Sequence, residues 1–119
     1  MPLNHTTKTR NILASNVTRQ LDGGNLVIMT FGDNEIATLP LSNPAFNLPI
    51  NGRATARAIT ADVNAVGGVA SFFKMETADG EEVFRGMVGL SDSDLNLSSI
   101  DIAAGDSVQI SSFSYSASL

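Results

Sequence analysis

The apolar positions along the 119-residue chain change period at Gly23 and Gly24. Before that pair, Leu13, Val17 and Leu21 recur every four residues, with Ile12 and Ala14 beside them. Lys8, Arg10, Asn16 and Arg19 fall mostly elsewhere around the wheel, so the spacing predicts an amphipathic helix of about four turns with a narrow apolar stripe. Thr6 or Thr7 is the expected N-cap, and one of the glycines supplies the left-handed residue that stops the helix. A helix with so narrow a stripe is marginal alone and needs a partner surface, either its own β-domain or another chain.

After Gly24 the pattern is that of strands and turns. Residues 25–31 (NLVIMTF) are a continuous apolar run, as expected of a strand buried on both faces. Residues 36–41 form the next strand, and Pro40 restricts its end to an edge or a bulge. The stretch 42–52 (SNPAFNLPING) is broken by Pro44, Pro49 and Asn51-Gly52, while Phe46, Leu48 and Ile50 alternate as its anchors, which predicts a packed loop. Residues 53–60 read as a half-exposed strand. Asp79-Gly80 marks a hairpin between 69–77 and 82–88, with Phe73 and Met75 on one face and Phe72 and Phe84 on the less buried side. In 107–116, Val108 and Ile110 share one face, Phe113 and Tyr115 the other. These short strands, set apart by turns at intervals of about ten residues, predict a mainly β fold. The expected architecture is an antiparallel β-sandwich or jelly roll with one short N-terminal α-helix. Residues 1–22 form an arm and helix, and 23–119 a single β-sandwich domain.

Composition narrows the chemistry. The chain has no cysteine, which excludes a disulfide scaffold, a thiol nucleophile and a cysteine-held zinc or iron–sulfur site. Its one histidine, His5, would have to carry any Ser-His-Asp triad or histidine-based metal site. The acidic run Asp92-Ser93-Asp94-Leu95-Asn96 opens like a calcium loop, but Leu97 stands where that loop needs glycine and Ala103 where it needs a bidentate glutamate. It reads as a solvated turn, and Glu76, Asp79, Glu81 and Glu82 read as the solvated rim of a hairpin. The expectation is a non-enzymatic protein with no catalytic residues, no cofactor, no metal and no small-molecule substrate.

The net charge of −5 is unevenly spread. Residues 1–22 carry Lys8, Arg10 and Arg19 against Asp22, which leaves four basic and eleven acidic groups in the remainder. That acidic balance lacks the footprint for nucleic-acid phosphates. No apolar stretch approaches the roughly eighteen residues of a membrane span, so no membrane partner is expected. What the sequence offers is surface for binding. Lys8, Arg10, Leu13, Val17 and Arg19 would present the helix to an acidic neighbour or a second copy. Arg53 and Arg57, four apart on one strand face, would meet an acidic surface. Phe72, on the second face of the hairpin, would favour self-association.

Several segments, taken in order, carry a likeness. GGNLVIMT, LSNPAF, the D-G hairpin followed by VFRGMVG, and the ending DLNL…IAAGDSVQISSF together resemble small structural proteins of tailed bacteriophages and prophages. The parallel covers about residues 20–116, and the basic first helix departs from it. The resemblance implies a virion component, most like a capsid decoration (cement) protein on the exterior of the capsid. Its implied partners are the major capsid protein and other copies of itself, and it would be synthesised in the host cytoplasm. No active site is implied, so no functional residue is carried over. The alternatives are a tail or neck subunit, or a carbohydrate-binding module presenting Phe72, Phe84, Phe113 and Tyr115.

Overall fold

A computed structural model describes residues 6–91, 93–97, 99–110 and 113–116. Its centre is a five-stranded sheet in the order β2-β1-β5-β6-β7. The strands are β1 (Asn25–Met29), β2 (Glu35–Pro40), β5 (Phe72–Glu76), β6 (Glu82–Gly89) and β7 (Leu95–Asn96). Two short ribbons pair β3 (Arg53–Thr55) with β9 (Ser114–Ser116) and β4 (Gly68–Val69) with β8 (Asp101–Ile102). The fold is therefore mainly β and mainly antiparallel, with the helix α1 (Thr7–Arg19) near the N-terminus. The exception is the parallel pairing of β6 with β7.

The interior strand β1 is buried over four of its five residues, as its unbroken apolar run predicts. It ends at Met29, earlier than expected. Phe31 already belongs to a turn in which Thr30 N–H donates to the Asn34 carbonyl at 2.9 Å and Asp33 takes a φ of +67°. Pro40 closes β2, which is an edge strand, as its missing N–H requires. The outer edge of β2 is covered: Thr38 N–H donates to Asp62 Oδ2 and Val66 N–H to the Ile36 carbonyl. Those bonds occupy groups that would otherwise template another strand.

The expected strand at 53–60 is cut short at Thr55. Ala56 N–H still reaches the Phe113 carbonyl, but Arg57 N–H turns to the Ala45 carbonyl, so the chain leaves β9 there. The 107–116 strand is likewise divided, into a bridge from Val108 to Asp62 and the three residues of β9, with Ser111 and Ser112 outside the described residues. In the 42–52 loop only Phe46 is an anchor; Leu48 and Ile50 are 80% and 72% exposed.

Five aromatic rings tie these pieces together. Phe46 meets Phe113 edge-on at 6.2 Å, Phe113 meets Phe73 at 5.5 Å, Phe73 meets Phe84 at 6.5 Å, and Phe84 lies 5.3 Å from Tyr115. Phe84 is thus on the core face and not the outer one. The register pairs Met75 with Phe84 and then Glu76 with Glu82, so a bulge at Val83 sets the ring beside Phe73. Phe113 is buried in the same cluster.

The helix begins where predicted, with Thr6 Oγ1 accepting from Thr9 N–H at 3.2 Å. Beyond Arg19 the N–H groups of Gln20, Leu21 and Asp22 donate three residues back, tightening the last turn before Gly23 at φ +72°. Its buried face is rotated from the expected stripe. Ala14, Thr18 and Leu21 are buried, whereas Ile12 is 51% and Leu13 37% exposed and Val17 is half-buried. The short side chains of Ala14 and Thr18 let the helix backbone lie close on β3 and β9, and Leu21 enters the main core cluster. Asn11 Oδ1 accepts from Gly52 N–H at 2.6 Å, fixing the helix to the 51–52 turn.

Gly24 sits where that helix turn meets β5: a Cβ there would overlap the Glu76 backbone carbonyl. Gly80, by contrast, has open space around it and only its φ of +86° to satisfy. Urea unfolding should therefore show Gly80→Ala costing about 1–2 kcal/mol, and Gly24→Ala costing more than about 3 kcal/mol because backbone must move. Equal losses would contradict this packing.

Candidate functional site

A concave surface lies between the C-terminal half of α1 and the 44–49 loop, a groove of about 270 Å³. Ser15, Thr18 and Arg19 form one wall, Phe46 and Leu48 the other, and Arg57 lines it as well. One residue holds the walls together. Ala45 N–H donates to Asp22 Oδ1 at 2.8 Å, and its carbonyl accepts from Arg57 N–H at 2.8 Å. Arg19 and Arg57 are both exposed, and among the described residues neither is in an ion pair. The groove therefore presents two guanidinium groups and an exposed leucine to solvent, with Asp22 already engaged.

The other predicted contact residues scatter. Lys8 is exposed on the first turn of the helix. Arg10 is folded inward across Gly52, where a Cβ would come within 2.7 Å of Arg10 Nε, and that nitrogen is buried without a partner among the described residues. Leu13 and Val17 lie on the flank of the helix away from the groove. Arg53 does not join Arg57, because β3 ends between them; its Nε donates to Ser114 Oγ at 3.0 Å. There it stands beside a larger open groove of about 950 Å³ lined by Ile59, Leu95, Leu97 and Ile110.

Phe72 is on the outer face of the sheet, as expected, in a row with Met29 and Met87. It is half-buried there. The Arg85 guanidinium lies 4.9 Å above its ring and forms a fork to Glu82, with Nη2–Oε1 at 2.7 Å and Nε–Oε2 at 2.9 Å. Next to it Lys74 Nζ is 3.2 Å from Glu76 Oε2. At the end of this face the surface becomes apolar. Phe31 is 92% exposed, and Val66, Val69 and Met87 are exposed as well. Of these, Val69 comes near Phe31 through the backbone, since Gly68 lies against Thr30 and Ile36. The apolar run places Phe31 in a buried strand, whereas its position directly before Gly32-Asp33-Asn34 is the signal that it opens a turn.

The acidic turn is occupied with its own backbone. Asp94 Oδ2 accepts from Met87 N–H at 2.8 Å and Asn96 Oδ1 from Ser93 N–H at 3.1 Å, while Asp92 lies outside the described residues. Among the described residues no three acidic or histidine side chains gather closely enough to hold a metal ion. His5 also lies outside the described residues.

The Glu82 carboxyl is held below the usual glutamate range, first by the hydrogen bonds from Arg85, which outweigh the opposing effect of burial, and then by the charges of Arg85 and Lys74. A lowered folded value means that this fork steadies the hairpin above the ordinary glutamate value of 4.5 and stops doing so as pH falls through the lower folded value. Amide exchange at residues 77–81 should accordingly quicken on acidification below that range, and Glu82→Gln should remove most of the change. A pH-independent exchange rate, after correction for intrinsic chemistry, would contradict it. Comparison with protein-family models, with curated proteins and with solved structures finds no match to this chain.

Proposed function

We propose that this protein is a non-enzymatic structural component of a phage virion, a decoration (cement) protein that binds the major capsid protein lattice from the outside and stabilises the head. The observation that carries the reading is the exposure of Phe31, Val66, Val69 and Met87. A small acidic domain that leaves a phenylalanine almost wholly in solvent, with three more large apolar side chains exposed, has apolar surface of the kind that another protein covers. The ordered segments that resemble small virion proteins support the same reading and give the neighbour its identity. Stabilisation would come from burying those side chains across adjoining capsid subunits, with Arg53 and Lys8 as exposed cations available to acidic neighbours.

The disposition of the four aromatics named for it, Phe72, Phe84, Phe113 and Tyr115, weighs against the carbohydrate-binding alternative. Sugar platforms present flat, open rings, whereas Phe113 is buried, Phe84 and Tyr115 lie against each other, and Phe72 is covered by Arg85.

Virions assembled with the wild-type chain should carry copies on the order of hundreds, as a symmetric capsid lattice requires, when counted by quantitative mass spectrometry. Phe31→Ser and Val69→Ser, both at exposed positions, should leave the unfolding midpoint unchanged yet reduce occupancy at least about tenfold, since losing buried apolar area of this size is worth roughly 1.5–3 kcal/mol. A handful of copies confined to the tail or neck, or full occupancy with both variants, would overturn the reading.

A further inference from the structure

The arginine groove and the acidic hairpin tip lie at the same end of the molecule. Asn25 pairs with Glu76, and Gly24 rests against the Glu76 carbonyl, so the turn at 77–81 begins close to Asp22, which lines the groove. The tip is a built feature. Thr77 Oγ1 accepts from both Asp79 N–H and Glu81 N–H, and Thr77 N–H donates to the Glu81 carbonyl. That frame presents Asp79 and Glu81 to solvent on either side of Gly80, with exposed Ala78 beside them. Glu76 and Glu82 are already paired with Lys74 and Arg85. Within one copy the groove and the tip do not meet, since neither Arg19 nor Arg57 is in ion-pair contact with Asp79 or Glu81.

We propose that the groove formed by Arg19, Arg57 and Leu48 receives the Asp79–Glu81 hairpin tip of a second copy of this chain, and that the two copies exchange tips about a two-fold axis. Charge complementarity and nearness together select the occupant: two exposed guanidinium groups lack ion-pair partners among the described residues, and of the exposed carboxylates that also lack them, Asp79 and Glu81 are held together on a built turn at the groove's end of the molecule. Position selects the symmetry. Because receptor and ligand lie side by side at one end, a two-fold rotation sets each tip against the other copy's groove and closes the contact, where head-to-tail docking would leave one of each unused at every chain end. Ala78 would meet Leu48, whose exposure gives the contact its apolar part. This contact does not rest on the capsid reading: it would form in solution, on surfaces separate from the Phe31 end.

Sedimentation velocity on the full chain, from micromolar to millimolar concentration, tests it. The wild type should form a reversible dimer whose dissociation constant rises at least about tenfold between low and high salt, as pairs in solvent are screened. Arg19→Glu with Arg57→Glu should be monomeric, and so should Asp79→Lys with Glu81→Lys. Mixing the two double variants should restore a dimer, because each then carries what the other lacks. All four side chains are exposed, so unchanged melting midpoints will show that the variants remain folded. A wild type that stays monomeric at millimolar concentration in low salt would overturn the proposal, even if it binds a polyglutamate peptide. So would a dimer that survives either double reversal, or a mixture that fails to associate.

Discussion

The chain of aromatic rings from Phe46 through Phe113, Phe73 and Phe84 to Tyr115 holds this structure together. The β3–β9 ribbon is not hydrogen-bonded into the five-stranded sheet. Backbone reaches across only at its margins, where Asn47 N–H donates to the Thr55 carbonyl and Thr60 N–H to the Pro40 carbonyl of β2, and side chains do the rest: Phe113, just before β9, inserts its ring between Phe46 of the loop and Phe73 of the sheet, and Tyr115 lies on Phe84. Edge-to-face contacts of this kind add about 0.5–1.5 kcal/mol each beyond the burial of their area. The helix docks in turn on β3 and β9, so its position relative to the sheet is inherited from those rings.

That inheritance explains the surface. A helix resting on a ribbon through Ala14 and Thr18 leaves its larger apolar residues, Ile12 and Leu13, outside, and sets Arg19 over the loop that Phe46 anchors. Ala45, one residue before that anchor, fastens both Asp22 and Arg57, and so the groove follows from the same packing that buries Phe46. The charge division visible along the chain takes a different form in three dimensions. The basic segment is not a free arm: Arg10 lies across Gly52, and Arg19 joins Arg57 from the acidic part of the chain.

Much of the architecture was legible because it is locally determined. The Thr6 cap, the stop at Gly23, the unbroken run of β1, the edge position that Pro40 enforces and the Asp79-Gly80 turn all follow from the chemistry of adjacent residues. The rotation of the helix was not legible, since Leu13 and Ala14 are equally good helix residues and only the closeness of the ribbon decides which is buried. Phe84 was placed on the wrong face because a single bulged residue, Val83, reverses the alternation beyond it. Arg19 and Arg57 share a groove only through long-range bonds to Ala45, which no spacing in the sequence encodes. The parallel pairing of β7 with β6 is likewise set by where the Asp94 carboxylate binds, at Met87 N–H, and not by the apolar pattern.

The central claim is that ring contacts, more than the few backbone hydrogen bonds between them, make helix, ribbon and sheet one cooperative unit. Urea unfolding of Phe113→Ala, followed at once by a helix signal and by amide exchange in β1, tests it most directly. The account predicts coincident transitions in the wild type and, in the variant, a helix signal lost at lower urea than β1 protection, with helix and ribbon destabilised by about 3–5 kcal/mol, the range for deleting a buried phenylalanine ring. A loss below about 1 kcal/mol, or probes that still fall together in the variant, would contradict it.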